Sequence, residues 1–214
     1  MKTINKRSKT KKDFKLSSIA MLMILIFATS CSSDDEGVTP PEEENPVEEF
    51  TNIEFIFTNV NDPNDATRGI WEDKDGFGPM EPVIIQNPEF KANTTYKLTF
   101  IMESRLVTPV EDVTEDILDE DDEHQMFFQF SESLFSNPTG IGNIINRDGE
   151  INYLDFDDNG LPLGLETEWT TGDEQTNATF RAVLGHQPGV KSETSSWDSG
   201  DIDWDITFTI DVID

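Results

Sequence analysis

Cysteine occurs once in these 214 residues, histidine and tyrosine twice each, and lysine plus arginine only 15 times against 44 aspartates and glutamates. A single thiol excludes an intramolecular disulfide framework and a CxxC-type redox or zinc site. The shortage of bases sets the formal net charge at −29 and excludes the basic footprint that nucleic acid demands. No apolar run approaches the roughly twenty residues needed to span a bilayer. Also missing are a G-x-S-x-G elbow, an H-E-x-x-H helix and a phosphate-cradling glycine loop. The abundant carboxylates single out no pair for glycoside cleavage. The chain therefore reads as non-catalytic.

What is present begins with an export signal. Lys2, Lys6, Arg7, Lys9, Lys11, Lys12 and Lys15 precede an unbroken apolar stretch from Ile19 to Ala28, about ten residues or 15 Å of helix. A basic segment, a short apolar segment and then small residues make a secretory signal peptide, expected over 1–30. The lone thiol follows at once. Ala28-Thr29-Ser30-Cys31 resembles the lipobox of bacterial lipoproteins, with alanine where leucine is usual. That resemblance implies that Cys31 is diacylated (palmitate-type chains), becomes the mature N-terminus and holds the protein on a membrane. Each buried CH₂ contributes about 0.8 kcal/mol, so two or three chains anchor stably. Ser32-Ser33-Asp34-Asp35-Glu36 is similar to the acidic surface-export signal of Bacteroidota lipoproteins.

Losing seven bases and Asp13 with the signal leaves eight basic against 43 acidic residues, a mature net charge of −35. Residues 31–49 hold Pro40, Pro41, Pro46 and eight carboxylates without a base. Like charges and prolines favour extended chain, so this segment is expected to be a disordered tether reaching on the order of 50 Å.

Residues 50–214 suffice for one domain, and apolar residues there alternate with period two. The runs are Ile53/Phe55/Phe57, Tyr96/Leu98/Phe100/Met102, Met126/Phe128/Phe130, Phe180/Ala182/Leu184 and Ile202/Trp204/Ile206/Phe208/Ile210/Val212. Turn pairs such as Asp75-Gly76, Asn159-Gly160 and Thr171-Gly172 separate strands. The pattern predicts an all-β, antiparallel two-sheet β-sandwich of the Ig-like kind. One short helix is expected over 109–119, with Thr108 as N-cap, Pro109 at the first position and Val110, Val113 and Ile117 as its apolar stripe.

Four groups of residues offer chemistry. "DFDDNGLPLGLE" fits the calcium-loop pattern, with ligands from Asp155, Asp157, Asn159, the Leu161 carbonyl and Glu166. A β-hairpin turning at Asn159-Gly160 accounts for the same stretch without metal and is the preferred reading, with Leu154, Phe156, Leu161, Leu163 and Leu165 on one face and Tyr153, Asp155, Asp157 and Glu166 on the other. Second, nine carboxylates lie between Glu111 and Glu123. Acids at a helix C-terminus oppose its dipole, so either the helix stops early or a cation compensates. That argument nominates Asp119, Asp121, Asp122 and Glu123 for a hard cation such as calcium. Third, His124 and His186, if brought together from two strands, suit zinc, copper or haem iron. Last, Trp71 and Trp197 lie in turn-rich contexts and are the candidates for a glycan platform, whereas Trp204 shares the parity of a core run.

"EHQMFFQF", "NGLPLGLETEWTTG", "FRAVLGHQPGVK" and "GDIDWDITFTIDV", together with the lipobox, resemble a group of uncharacterised flavobacterial (Bacteroidota) lipoproteins. Some members carry the label "type 1 periplasmic binding fold superfamily", a two-lobed α/β architecture, whereas this strand-dominated chain points to all-β. The resemblance implies an outer-membrane lipoprotein displayed at the cell surface. The combined expectation is a lipid-anchored, non-catalytic sandwich that binds a ligand or partner through its loops. A glycan, a metal ion or a protein such as a TonB-dependent transporter is its candidate partner. The alternative is a metal-cation or haem scavenger using His124, His186 and the acidic loop.

Overall fold

The computed structural model describes residues 48–214; the export signal, Cys31 and all of the tether but Glu48 and Glu49 lie outside the described residues. Strands form where alternation is strongest: β1 (Asn52–Asn59), β5 (Thr95–Ser104), β7 (His124–Phe130), β10 (Gln175–His186) and β11 (Asp201–Ile213). Between them lie shorter β2 (Ala66–Glu72), β3 (Val83–Gln86), β4 (Glu89–Lys91), β6 (Glu111–Asp112), β8 (Phe135–Asn137) and β9 (Thr167–Thr171). A seven-stranded sheet runs β3-β2-β1-β5-β9-β8, with β6 beside β5, and a four-stranded sheet runs β4-β11-β10-β7. The pairing is antiparallel except for β4 against β11, which is parallel. The chain folds as the expected all-β two-sheet sandwich, mixed at this one edge.

Alternation puts one side chain in two on the inner face, and aromatic rings fill the space between the sheets. Phe55 of β1 meets Phe208 of β11 edge-on at 4.9 Å, and Phe57 meets Phe180 of β10 at 5.7 Å. Trp169 of β9 is fully buried among Phe128, Phe135 and Phe180, its indole N–H donating to Thr167 Oγ1 at 2.7 Å. Burying each such side chain contributes about 1.5–3 kcal/mol, and each edge-on pair about 0.5–1.5 kcal/mol more. Gly69 on β2 is the necessary gap in this packing. A Cβ there would sit 2.7 Å from the Phe208 ring.

Four local expectations change. The helix α1 is Val113–Asp119, and its N-cap is Asp112, whose carboxylate accepts from the Thr114 N–H. Glu111 and Asp112 pair with Ser104 and Glu103 of β5 instead of continuing a helix back to Thr108. Thr114 Oγ1 also accepts from the Met102 N–H at 2.8 Å, tying the first turn to β5. Val113 and Ile117 are buried in the core as the stripe predicts, whereas Val110 is exposed.

The "DFDDNGLPLGLE" hairpin turns through three residues, not two. The Asp157 N–H donates to the Leu161 carbonyl and the Gly160 N–H to the Asp157 carbonyl, both at 2.9 Å, with Gly160 at φ 80°. This is a turn closed by a left-handed glycine, and it shifts the pairing by one residue, so Phe156 faces Pro162. A one-residue slip exchanges faces. Leu154 and Phe156 are therefore exposed and Tyr153, Asp155 and Asp157 turn inward, while Leu163 and Leu165 stay buried.

Two boundaries also move. Parity predicts Ile202 in the core, yet it is exposed, because Leu184 pairs with Trp204 and Gly185 with Ile202, leaving Asp203 as an extra residue in β11. Trp204 itself is buried as expected. The folded unit also begins before Phe50: the Glu48 side chain is only 6% exposed, and Glu49 Oε1 accepts from the Phe77 N–H at 3.0 Å.

Candidate metal centre

His124 begins β7 with the parity of Met126, Phe128 and Phe130; His186 ends β10 with the parity of Phe180, Ala182 and Leu184. Both rings thus continue the inner face of the four-stranded sheet past the end of the apolar core. The two residues are direct partners in the ladder. Their rings stack face to face, with centroids 4.6 Å apart and planes 7° from parallel.

Carboxylates converge on this pair from three other places. Asp203 is the extra residue of the β11 bulge, a device that re-aims a side chain without ending the strand. Its Oδ2 lies 3.4 Å from His124 Nε2, and its Oδ1 lies 4.0 Å from His186 Nδ1. Glu48, from the segment leading into β1, places Oε1 3.9 Å from His124 Nε2. Glu123, in the turn after α1, places Oε2 3.4 Å from His186 Nε2. Among the described residues, two groups could hold an ion: Glu48, His124, His186 and Asp203, and Glu120, Glu123 and His186.

The proton inventory of the inner group is informative. His124 Nδ1 lies 3.2 Å from the Glu120 carbonyl, which can only accept, so Nδ1 carries the hydrogen. Nε2 then turns a lone pair toward Glu48 and Asp203, two further acceptors. His124 is fully buried, and its Nε2, Asp203 Oδ2 and Glu48 Oε2 make no hydrogen bond. A lone pair facing buried carboxylates calls for a positive charge between them, either a second proton on the ring or a metal ion. Burial works to lower the His124 pKa, but Asp203, the Glu120 carbonyl and Glu48 outweigh it and hold the ring above its ordinary value. Burial, with the charge of Glu48 adding to it, likewise pushes Glu120 up. The backbone carbonyl on Nδ1 is the outer contact that normally fixes a metal-bound imidazole.

Other nominated residues are occupied otherwise. Lys191 donates to the Asp121 carbonyl at 2.6 Å and pairs with Asp157 Oδ2 at 3.0 Å, the two side chains being 2% and 0% exposed. The cation that the acidic run requires is thus supplied by the chain, and α1 also stops at Asp119. Asp119 and Asp122 are exposed and join neither ligand group. Asp155 Oδ1 accepts from the Gly164 N–H, and Asp157 Oδ1 from the Asn159 and Leu161 N–H groups, each at 2.9 Å. Glu166 pairs with Lys97 at 2.6 Å. The calcium-loop spacing is therefore a self-satisfied hairpin, and Asp155, Asp157, Asn159 and Glu166 form no ligand cage.

The tryptophans give no shared platform. Trp71 is half-buried against the main core. Trp197 packs on Phe127, Ile144 and Val183 on the other face of the four-stranded sheet, with the Arg181 guanidinium 5.1 Å from its ring centroid. The stacked rings are not placed to take the two opposite faces of one haem iron together.

Inner-face parity gives the inward side of both histidines, and their pairing follows only from the fold. Glu48 was hidden by the composition of the segment before it, and Asp203 by the bulge. Compared with protein-family models, curated proteins and solved structures, the chain matches none.

Proposed function

We propose that this protein is an exported, lipid-anchored β-sandwich that binds a divalent transition-metal ion through Glu48, His124, His186 and Asp203. The observation that carries the reading is the fully buried His124 Nε2, without a hydrogen bond and 3.4 Å from a buried carboxylate oxygen of Asp203. Two imidazoles with carboxylates suit zinc, copper, nickel or ferrous iron. Calcium, which takes six to eight oxygens, is the poorer match. The role we assign is capture of the ion. Acylation at Cys31 would hold the ion-binding domain at the outer membrane, where a transporter of the TonB-dependent kind is the natural recipient.

The test uses the mature lipoprotein in detergent, stripped with chelator and titrated with zinc, copper, nickel and ferrous ions separately. One ion per chain is expected, with melting raised by roughly 5–10 °C at a hundredfold excess over Kd. Asp203→Asn and His124→Ala should each abolish the rise. Absence of stoichiometric uptake of every one of these ions sinks the reading.

A further inference from the structure

His186 belongs to both ligand groups, and the two ring nitrogens face different partners. Nε2 lies 3.4 Å from Glu123 and Nδ1 4.0 Å from Asp203. Side-chain exposure falls along the same line: 31% at Glu123, 15% at His186, 4% at Asp203 and 0% at His124. One ring therefore joins a solvent-reached carboxylate to a buried one. The turn bearing Glu120 and Glu123 is also held in place. Its carbonyls accept from the Gln187 N–H at Glu123 and from Lys191 Nζ at Asp121, both at 2.6 Å.

Resting on the metal-binding reading above, we propose that Glu120, Glu123 and His186 form an outer capture position from which the ion passes, by way of His186, to the inner position at Glu48, His124 and Asp203. A hydrated ion first meets Glu123, more exposed than His186, Asp203 and His124, and exchanges water for carboxylate oxygen and His186 Nε2. It then moves to the Nδ1 edge, where Asp203 replaces Glu123. Nδ1 gives up its proton to water as Nε2, freed of the ion, takes one up and donates it to Glu123, so the ring changes tautomer with no net proton gained or lost. His124 Nε2, buried and without a hydrogen bond, completes the inner set. No ligand is oxidised, and apart from this proton exchange no covalent bond forms or breaks. The outer position governs how fast the ion arrives, and the inner one how tightly it stays. Fixed charge of one sign at a site opening raises local counter-ion concentration and on-rates by about 10–10³.

The proposal is tested by stopped-flow transfer of zinc from a chromophoric chelator to the chelator-stripped, full mature lipoprotein in detergent. Glu123→Gln should slow loading roughly tenfold while changing the equilibrium affinity by less than about threefold. Asp122→Asn removes the same charge one residue away, on an exposed side chain outside both groups, and should load at the wild-type rate. Loading of Glu123→Gln at the wild-type rate overturns the capture position. So does equal slowing by Asp122→Asn, which would make the effect general field, or affinity lost in step with rate, which would make Glu123 a ligand of a single site. Zinc uptake by the wild type with any of these three results leaves the metal reading standing. A wild type that takes up no zinc ends both.

Discussion

Two acidic regions of this molecule differ in an instructive way. The hairpin at Asp155–Glu166 has the spacing of a calcium loop, yet the carboxylates in it that turn inward are held by backbone N–H groups and by a buried ammonium of this chain. Asp155 takes a backbone N–H, and Asp157 takes two N–H groups and Lys191. The end of the sandwich has no motif at all. Its converging side chains come from a segment before β1, two strand ends and a bulge, and they leave a buried ring nitrogen and two buried carboxylate oxygens without hydrogen bonds. Spacing along the chain is a weak guide to a site, because carboxylates close in sequence find backbone donors close at hand. Groups brought together by tertiary contact are left facing one another, and a positive charge between them, a ring proton or a metal ion, satisfies them.

The contrast is most severely broken by removing the hairpin's internal cation. Lys191→Met leaves Asp157 buried and unpaired, and stripping one partner from a buried pair costs about 3–5 kcal/mol. Denaturant unfolding at pH 7 should show that loss. At the other region, Asp203→Asn should weaken zinc at least about a hundredfold, roughly 2.7 kcal/mol, as read by chelator competition. The same substitution should leave the melting temperature of the metal-free protein within a few degrees.

A finer comparison lies within the hairpin. Burial acts to raise the Asp157 pKa, but the Lys191 ammonium and the Leu161 and Asn159 N–H groups outweigh it and hold it below its ordinary 3.8. Its folded pKa being depressed, its stabilisation is fully present above pH 3.8 and is lost as pH falls through the folded value. Asp155 is shifted the other way, chiefly by burial. Its ionised form opposes folding above its raised pKa, so acid relieves the cost. Asp157→Asn should therefore lower stability at neutral pH and remove part of the acid limb, whereas Asp155→Asn should be close to neutral. Stability measured from pH 2 to 7 for both variants distinguishes these signs. The smallest effect belongs to Glu166→Gln, a half-exposed carboxylate paired with Lys97, which should change stability by less than about 1 kcal/mol and leave zinc affinity alone.

The strands and their inner faces were legible in the sequence wherever four or five alternating residues set the period. The parity of the neighbouring core runs also gives the inward side of His124 and His186, but that the two are ladder partners follows only from the fold. The hairpin's faces were not, since a three-residue turn in place of a two-residue one inverted the parity of Leu154 and Phe156. Asp203 escaped for a related reason: one extra residue in β11 turns Ile202 outward and the carboxylate inward.

What the chain determined by itself was therefore the class of fold and the inward side of each long strand, because backbone pleating fixes side-chain direction locally. What the tertiary structure decided was the partner of each charged group. Lys191 reaches Asp157, and Glu48 reaches His124, across separations that no local pattern encodes. A buried charge is settled by whichever group the packed sheets and loops bring beside it.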